Sequence, residues 1–110
     1  MRREFSLKKS KEFDNIINNG KKMRSKYLFT SSINSESFKI GISIPKKLGN
    51  AVFRNKNKRR VKDIVSQLKP YDRKFFVVII VKKEFTDLSF DNQKKILKKE
   101  LDKITTNGNK

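Results

Sequence analysis

Phe75-Phe76-Val77-Val78-Ile79-Ile80-Val81 is an unbroken apolar run, and its last five residues are all β-branched. So short a run of β-branched side chains suits a strand and no other short element. The lack of any polar alternation predicts that both faces of this strand are buried. As the longest apolar run in the chain, it also falls far short of the roughly 20 residues a membrane-spanning helix needs.

Working upstream, Pro70 closes a helix that Asn50 opens as N-cap and that runs to about Leu68. Before it, Phe38, Ile40, Ile42 and Ile44 alternate with Lys39, Gly41 and Ser43, the pattern of a half-buried strand ended by Pro45. Asn34-Ser35-Glu36-Ser37 is a polar turn, and Tyr27 to Ile33 is strand-like, with a short strand near Met23. At the N-terminal side, Ser10 caps a helix whose apolar positions are Phe13, Ile16 and Ile17, and Gly20 stands where a left-handed C′ glycine belongs. Downstream, Ser89 caps a last helix carrying Phe90, Leu97, Leu101 and Ile104 on one side. Thr105 to Lys110 reads as a frayed tail. The expected order is α-β-β-β-α-β-α, an α+β fold in one domain spanning residues 1–110, with a sheet of about four strands and a modest core.

Charge dominates the composition: 29 Lys and Arg against 11 Asp and Glu give a formal net charge of +18. Such a domain repels itself. A polyanionic partner relieves the repulsion and gains entropy by releasing its condensed counterions. The positive charge is also clustered. From Ser37 to Lys62 there is no acid, but there are Lys39, Lys46, Lys47, Arg54, Lys56, Lys58, Arg59, Arg60 and Lys62. At 100° per residue, Phe53, Asn57, Val61, Ile64 and Leu68 form the arc of the 51–68 helix that faces the sheet. Arg54, Lys58 and Lys62 stack along one margin of that arc. Lys56 and Arg60 line the other, and Asn55 and Arg59 point further outward.

Like charges at i, i+4 destabilise a helix by roughly 0.2–0.5 kcal/mol a pair, so a row of them predicts an anion alongside; a merely solvated face is the plainer alternative. Asn55, a poor helix former, carries an amide able to donate to a phosphate and accept from a 2′-hydroxyl. Lys46 and Lys47, next to the helix N-terminus opened by Asn50, add a phosphate-binding corner. Phe38, Phe75 and Phe76 read as core. Phe13 and Phe29 read as more open, and Phe13 could offer a stacking face to an unpaired base.

The chain has no His and no Cys. The commonest general base and the commonest nucleophile are therefore absent, as are disulfides. The carboxylates are scattered, without the close cluster two metal ions would need. These features argue against a catalytic centre in the protein. No secretory signal follows Met1-Arg2-Arg3-Glu4. No membrane partner and a cytoplasmic location are expected.

Gly41-Ile42-Ser43-Ile44-Pro45-Lys46-Lys47-Leu48-Gly49-Asn50-Ala51-Val52-Phe53-Arg54-Asn55-Lys56-Asn57-Lys58-Arg59 resembles the signature of the bacterial ribonuclease P protein family. Leu7-Lys8-Lys9-Ser10-Lys11-Glu12-Phe13 and Gly20 resemble that family's N-terminal block. The resemblance implies a ribosomal-protein-like domain with a left-handed βαβ crossover through the 50–68 helix. It implies a protein subunit that binds a catalytic RNA and the 5′ leader of precursor tRNA, while the RNA holds Mg²⁺ and performs the hydrolysis; no protein partner is required. The resemblance implies that Arg54, Asn55, Lys56, Lys58 and Arg59 contact the RNA; with Lys46, Lys47, Asn50, Arg60 and Lys62 from the charge pattern they make up the expected RNA-binding set. The resemblance also implies a leader cleft at Phe13, Ile17 and Ser31, which the open Phe29 and the cationic margin Arg54, Lys58 and Lys62 are expected to complete.

The sequence departs from the family pattern in places. Lys56 stands for a second Arg, which removes a bidentate fork. Asn57 replaces an aliphatic residue, Ile17 a frequent Phe, Ser31 a frequent Tyr and Lys62 a common Arg. Two rival functions stand beside this one: a ribosomal-type structural RNA binder, which the same composition permits and which would associate with ribosomes, and a protein-only nuclease, which would cleave unaided and against which the missing His and scattered acids count.

Overall fold

A computed structural model of the chain describes residues 5–7 and 10–108. The elements run α1 (Ser10–Asn19), β1 (Lys21–Arg24), β2 (Leu28–Asn34), β3 (Lys39–Ser43), α2 (Ala51–Leu68), β4 (Phe75–Val81), a single turn α3 (Lys83–Thr86) and α4 (Phe90–Gly108). Short 3-10 turns at Lys46–Leu48 and Pro70–Asp72 flank α2. The expected order therefore holds, with α3 and the two turns added.

The four strands form one mixed sheet in the order β1-β2-β4-β3. β4 pairs antiparallel with β2 and parallel with β3, so the β3–α2–β4 segment is a crossover. As the apolar run predicted, β4 is central. Val77, Val78 and Ile79 are fully buried, and only Phe76 and Ile80 are half-exposed.

Strand alternation sorts the side chains onto two faces. On the first, Ile40, Ile42, Val77, Ile79 and Leu28 pack with Val61, Ile64 and Val65 of α2 and with Leu97, Leu101 and Ile104 of α4. On the second, Val78 packs with Leu7 and Ile16, bordered by Phe13, Ile17, Ile33, Phe76 and Ile80. Thus α2 and α4 cover one face and α1 the other. Phe38 and Phe75 are core residues as expected, meeting edge-on at 5.5 Å. Phe76 is not: it lies half-exposed on the α1 face with the Lys39 ammonium 5.6 Å from its ring centre.

Local signals explain most boundaries. The Asn50 side chain accepts from Phe53 N–H at 2.9 Å, starting α2. Lys69 adopts a left-handed conformation (φ 51°) and its N–H bonds Val65 O, ending α2 ahead of Pro70. Ser89 accepts from Asn92 N–H at the start of α4. The cap expected of Ser10 falls outside the described side chains.

The expectation for Gly20 is corrected. Among the described residues no glycine lies in the left-handed region, so Gly20 is not a left-handed cap. Its N–H bonds Ile16 O at 2.8 Å, and an added Cβ would lie 2.4 Å from Ile16 O and 2.5 Å from Ser31 Oγ. Glycine is required there for close approach. α4 continues to Gly108, beyond the Ile104 side chain that anchors it in the core, and the side chains of the tail expected from Thr105 lie outside those described. Residues 109–110 lie outside the described residues. No helix among those described is long and apolar enough to cross a membrane.

Candidate nucleic-acid interface

α2 carries the cationic row because its apolar arc is committed to the sheet. Val61 and Ile64 are fully buried on that arc, with Phe53 and Leu68 half-buried at its ends. Asn57, at the position where an aliphatic residue was expected, is also buried; its amide donates to Phe53 O at 2.9 Å, one turn back. An intrahelical bond thus accommodates a polar group within the packed arc.

Arg54, Lys58 and Lys62 follow one another at i, i+4, i+8 along the margin of this arc. Arg54 and Lys62 are half-buried and Lys58 is exposed. Among the described residues none of the three has a carboxylate within ion-pair distance. The Arg54 Nε atom is buried and has no hydrogen-bond partner there either. Asn55, Lys56 and Arg59 are exposed, and Arg60 is half-buried on the opposite margin.

The segment before α2 is cationic as well. Lys46 and Lys47 stand exposed on the 3-10 turn that follows Pro45. Gly49 is extended (φ 168°), and an added Cβ would lie 2.5 Å from the Phe53 ring. The glycine lets the chain fold tightly over Phe53 into the cap. Asn50 contributes through that cap, so its side-chain carbonyl is already engaged.

α1 crosses the second face of the sheet and leaves one end of it open. Strand register places Arg24, Phe29, Ile80 and Ser43 side by side in a row across all four strands. Phe29, Ile80 and Ser43 are half-exposed and Arg24 is exposed. In the next row, Ser31, Val78 and Gly41 lie under α1, with Ser31 and Val78 fully buried, while Lys22 at the β1 edge is exposed. The tip of the Phe13 ring rests on Gly41, and Ile17 packs beside it on this face.

The open row ends at Ser43, and the chain passes from there through Pro45 and the lysine turn directly into α2. Floor and cationic helix therefore spring from the same end of the sheet. The Arg24 guanidinium lies 5.3 Å from the Phe29 ring centre. That pair presents a cation and an aromatic face together, the combination suited to stacking and phosphate contact.

Of the expected cleft residues, Phe13, Ile17 and Phe29 border this floor. Ser31 does not. It is 0% exposed and its hydroxyl donates to Ile16 O at 2.6 Å, tying α1 to the sheet. A Ser so close under a helix is used by the backbone and has no face for a ligand. Arg24 and Ile80 escaped sequence reasoning, because only cross-strand register places them beside Phe29. No group of three or more metal-ligating side chains is formed among the described residues.

The chain matches the family described as Ribonuclease P over residues 1–105. It is 37% identical over 110 residues to the ribonuclease P protein component of Mycoplasma mobile, covering 100% of this chain and 98% of that one. The corresponding protein of Lactococcus lactis subsp. lactis is 34% identical over 112 residues, covering 98% and 96%. Among solved structures, a Staphylococcus aureus RNase P protein mutant with defective mRNA degradation activity superposes with a TM-score of 0.80 at 25% identity, covering 94% of this chain and 89% of that one. The RNase P protein from Thermotoga maritima gives 0.78 at 25% identity, covering 87% and 94%.

Proposed function

The chain belongs to the ribonuclease P protein family, whose members work with an RNA subunit, and from that premise we propose how its surfaces divide the labour. The cationic margin and outer face of α2 bind the catalytic RNA. The open row at the end of the sheet, bordered by Phe13 and Ile17, receives the single-stranded 5′ leader of precursor tRNA. The observation that carries this reading is the row Arg54, Lys58 and Lys62, with no carboxylate partner among the described residues, rising from the same sheet end as the half-exposed floor.

The chemistry of each part follows from its residues. Arg54, Lys58 and Lys62 neutralise phosphates where the two RNAs converge, and the displaced counterions supply entropy. Phe29 and Phe13 offer sequence-tolerant faces for unpaired bases, each worth about 1–3 kcal/mol where stacking is complete. With Ile17 and Ser31 in place of aromatics, stacking area is smaller, and Arg24 beside Phe29 shifts the balance toward charge. Asn55 is placed outward on α2, where its amide can meet both a phosphate and a 2′-hydroxyl.

The hydrolysis itself belongs to the RNA subunit under this reading. Mg²⁺ bound by that RNA would supply the Lewis-acid chemistry that phosphodiester hydrolysis needs. The protein's part is to hold leader and RNA in register and to lower the repulsion between them, which favours Mg²⁺ occupancy in the RNA. A cytoplasmic site of action, where precursor tRNA is processed, goes with it.

The test is cleavage of precursor tRNA by the RNA subunit at physiological salt, with and without the protein. The protein is expected to lower the Mg²⁺ requirement and to tighten binding of leader-bearing over leaderless tRNA. An identical Mg²⁺ dependence and identical affinities in both arms would overturn the proposal.

A further inference from the structure

α4 carries Lys94, Lys95, Lys98, Lys99 and Lys103 within ten residues, and the cleft and α2 leave this second cluster unused. Of its nearby acids, Asp91 is exposed one turn before Lys95 and makes no ion pair among the described residues, while Glu100 and Asp102 are engaged. Glu100 is buried and lies 3.9 Å from Lys103. Asp102 is held by Arg73 at 2.8 Å. Lys94 donates to Gln67 of α2 at 3.0 Å, joining the two helices. What remains outward is Lys95, Lys98 and Lys99. All three are exposed, and among the described residues none has a carboxylate within ion-pair distance.

Lys95 is spaced i, i+3 from Lys98 and i, i+4 from Lys99, so the three share one face and repel one another. Leu97, Leu101 and Ile104 fix that face outward, because they are locked in the core. The arrangement is rigid: a helix pinned along its inner side cannot rotate to disperse its charges. It also lies on the same side of the sheet as α2, against which α4 packs, and on the side away from the proposed leader floor.

We propose that the outer face of α4, through Lys95, Lys98 and Lys99, is a second docking surface for the RNA subunit, gripping the phosphate backbone of a segment separate from that held by α2. The partner is inferred from charge complementarity: a fixed, unneutralised lysine face matches a polyanion, and the holoenzyme already contains one. Lysine, a point charge without the planar fork of Arg, suits backbone contact without base reading. The inference rests on the α2 reading only in taking RNA as the partner.

The experiment measures affinity of the full-length protein for the RNA subunit across a salt series. Lys95→Gln, Lys98→Gln and Lys99→Gln together keep helix propensity and remove three charges. A charge-matched control carries Lys26→Gln, Lys74→Gln and Lys83→Gln, and a third arm carries Arg54→Ala with Lys58→Ala. The α4 triple is expected to weaken binding at least fivefold more than the control and to flatten log K against log salt by about two to three, roughly one per lost phosphate contact. Its preference for leader-bearing over leaderless tRNA in the holoenzyme should be unchanged. The chain lacks cysteine, so Lys98→Cys can carry a photo-crosslinker; it should mark a discrete RNA segment distinct from that marked by Arg59→Cys.

Equal losses in the α4 triple and the control, or no crosslink from position 98 above that from Lys74→Cys, would overturn the second surface while leaving α2 intact. Loss of leader preference in the α4 triple would also overturn it, by assigning these lysines to the cleft. Failure of the α2 reading appears separately, as an Arg54/Lys58 arm that binds RNA like the unaltered protein.

Discussion

The tip of the Phe13 ring occupies the space a side chain at position 41 would need: a Cβ on Gly41 would lie 2.3 Å from Phe13 Cζ. Gly41 sits in the middle of β3 beside Val78, so its partner strand cannot retreat to make room. The glycine of the sheet and the aromatic of α1 are one fitted unit, and together they set how α1 lies above the floor.

Gly41→Ala should therefore destabilise the fold by roughly 1–3 kcal/mol, the usual range for overpacking. It should also weaken discrimination of leader-bearing from leaderless tRNA, because Phe13 must move. Thermal denaturation and a binding comparison check the two effects. Adding Phe13→Ala should cost less in the Gly41→Ala background than alone, since the two residues share one contact.

Arg54→Ala with Lys58→Ala should leave the melting temperature within a few degrees of the parent. RNA affinity should fall, and its salt dependence should become shallower by about two contacts' worth of slope. Circular dichroism with a salt titration distinguishes this from a structural role. An unfolded double variant, or an unchanged slope, would assign the pair to packing.

Ser31→Ala removes the hydroxyl that ties α1 to β2. Ile16 O keeps its bond from Gly20 N–H, so the loss should be modest, about 0.5–1.5 kcal/mol. Leader affinity should not change beyond what that loosening of α1 explains. A large, selective loss of leader binding with normal stability would return Ser31 to the cleft.

Asn50 can be tested for its two possible roles with two substitutions. Asn50→Ala should destabilise the protein by about 1 kcal/mol by removing the N-cap. Asn50→Asp should keep the cap and retain stability, yet place a negative charge among Lys46, Lys47 and Arg54 and so weaken RNA binding. Denaturation and RNA affinity, measured on both variants, separate helix capping from the binding surface.

The strands and α2 were legible because their signals are local. β-branched density marks β4, strict alternation marks β3, and Asn50 and Pro70 bracket α2. The cationic row was legible too, since a helix converts sequence spacing directly into a face. The floor was not. Phe29, Ile80, Ser43 and Arg24 are brought together only by the order β1-β2-β4-β3 and its register, which no local pattern contains. Ser31 was misplaced for the same reason. Alternation puts it on the correct face, but only the path of α1 decides that this part of the face is covered. Gly20 was given a dihedral role by its position after a helix, whereas the crowding by Ser31 and Ser32 that excludes a Cβ is tertiary.

The last strand in the chain lies between two strands made earlier. Until Phe75–Val81 arrives, β2 and β3 have no edge in common, so the half of the chain that leaves the ribosome first cannot close its sheet. Such long-range pairing slows folding relative to helical domains of the same size. During that interval the nascent chain is already strongly basic in a cell full of RNA. Encounter with nucleic acid can therefore precede completion of the sheet, and the final insertion of β4 becomes the step that turns a sticky polycation into a shaped binding surface.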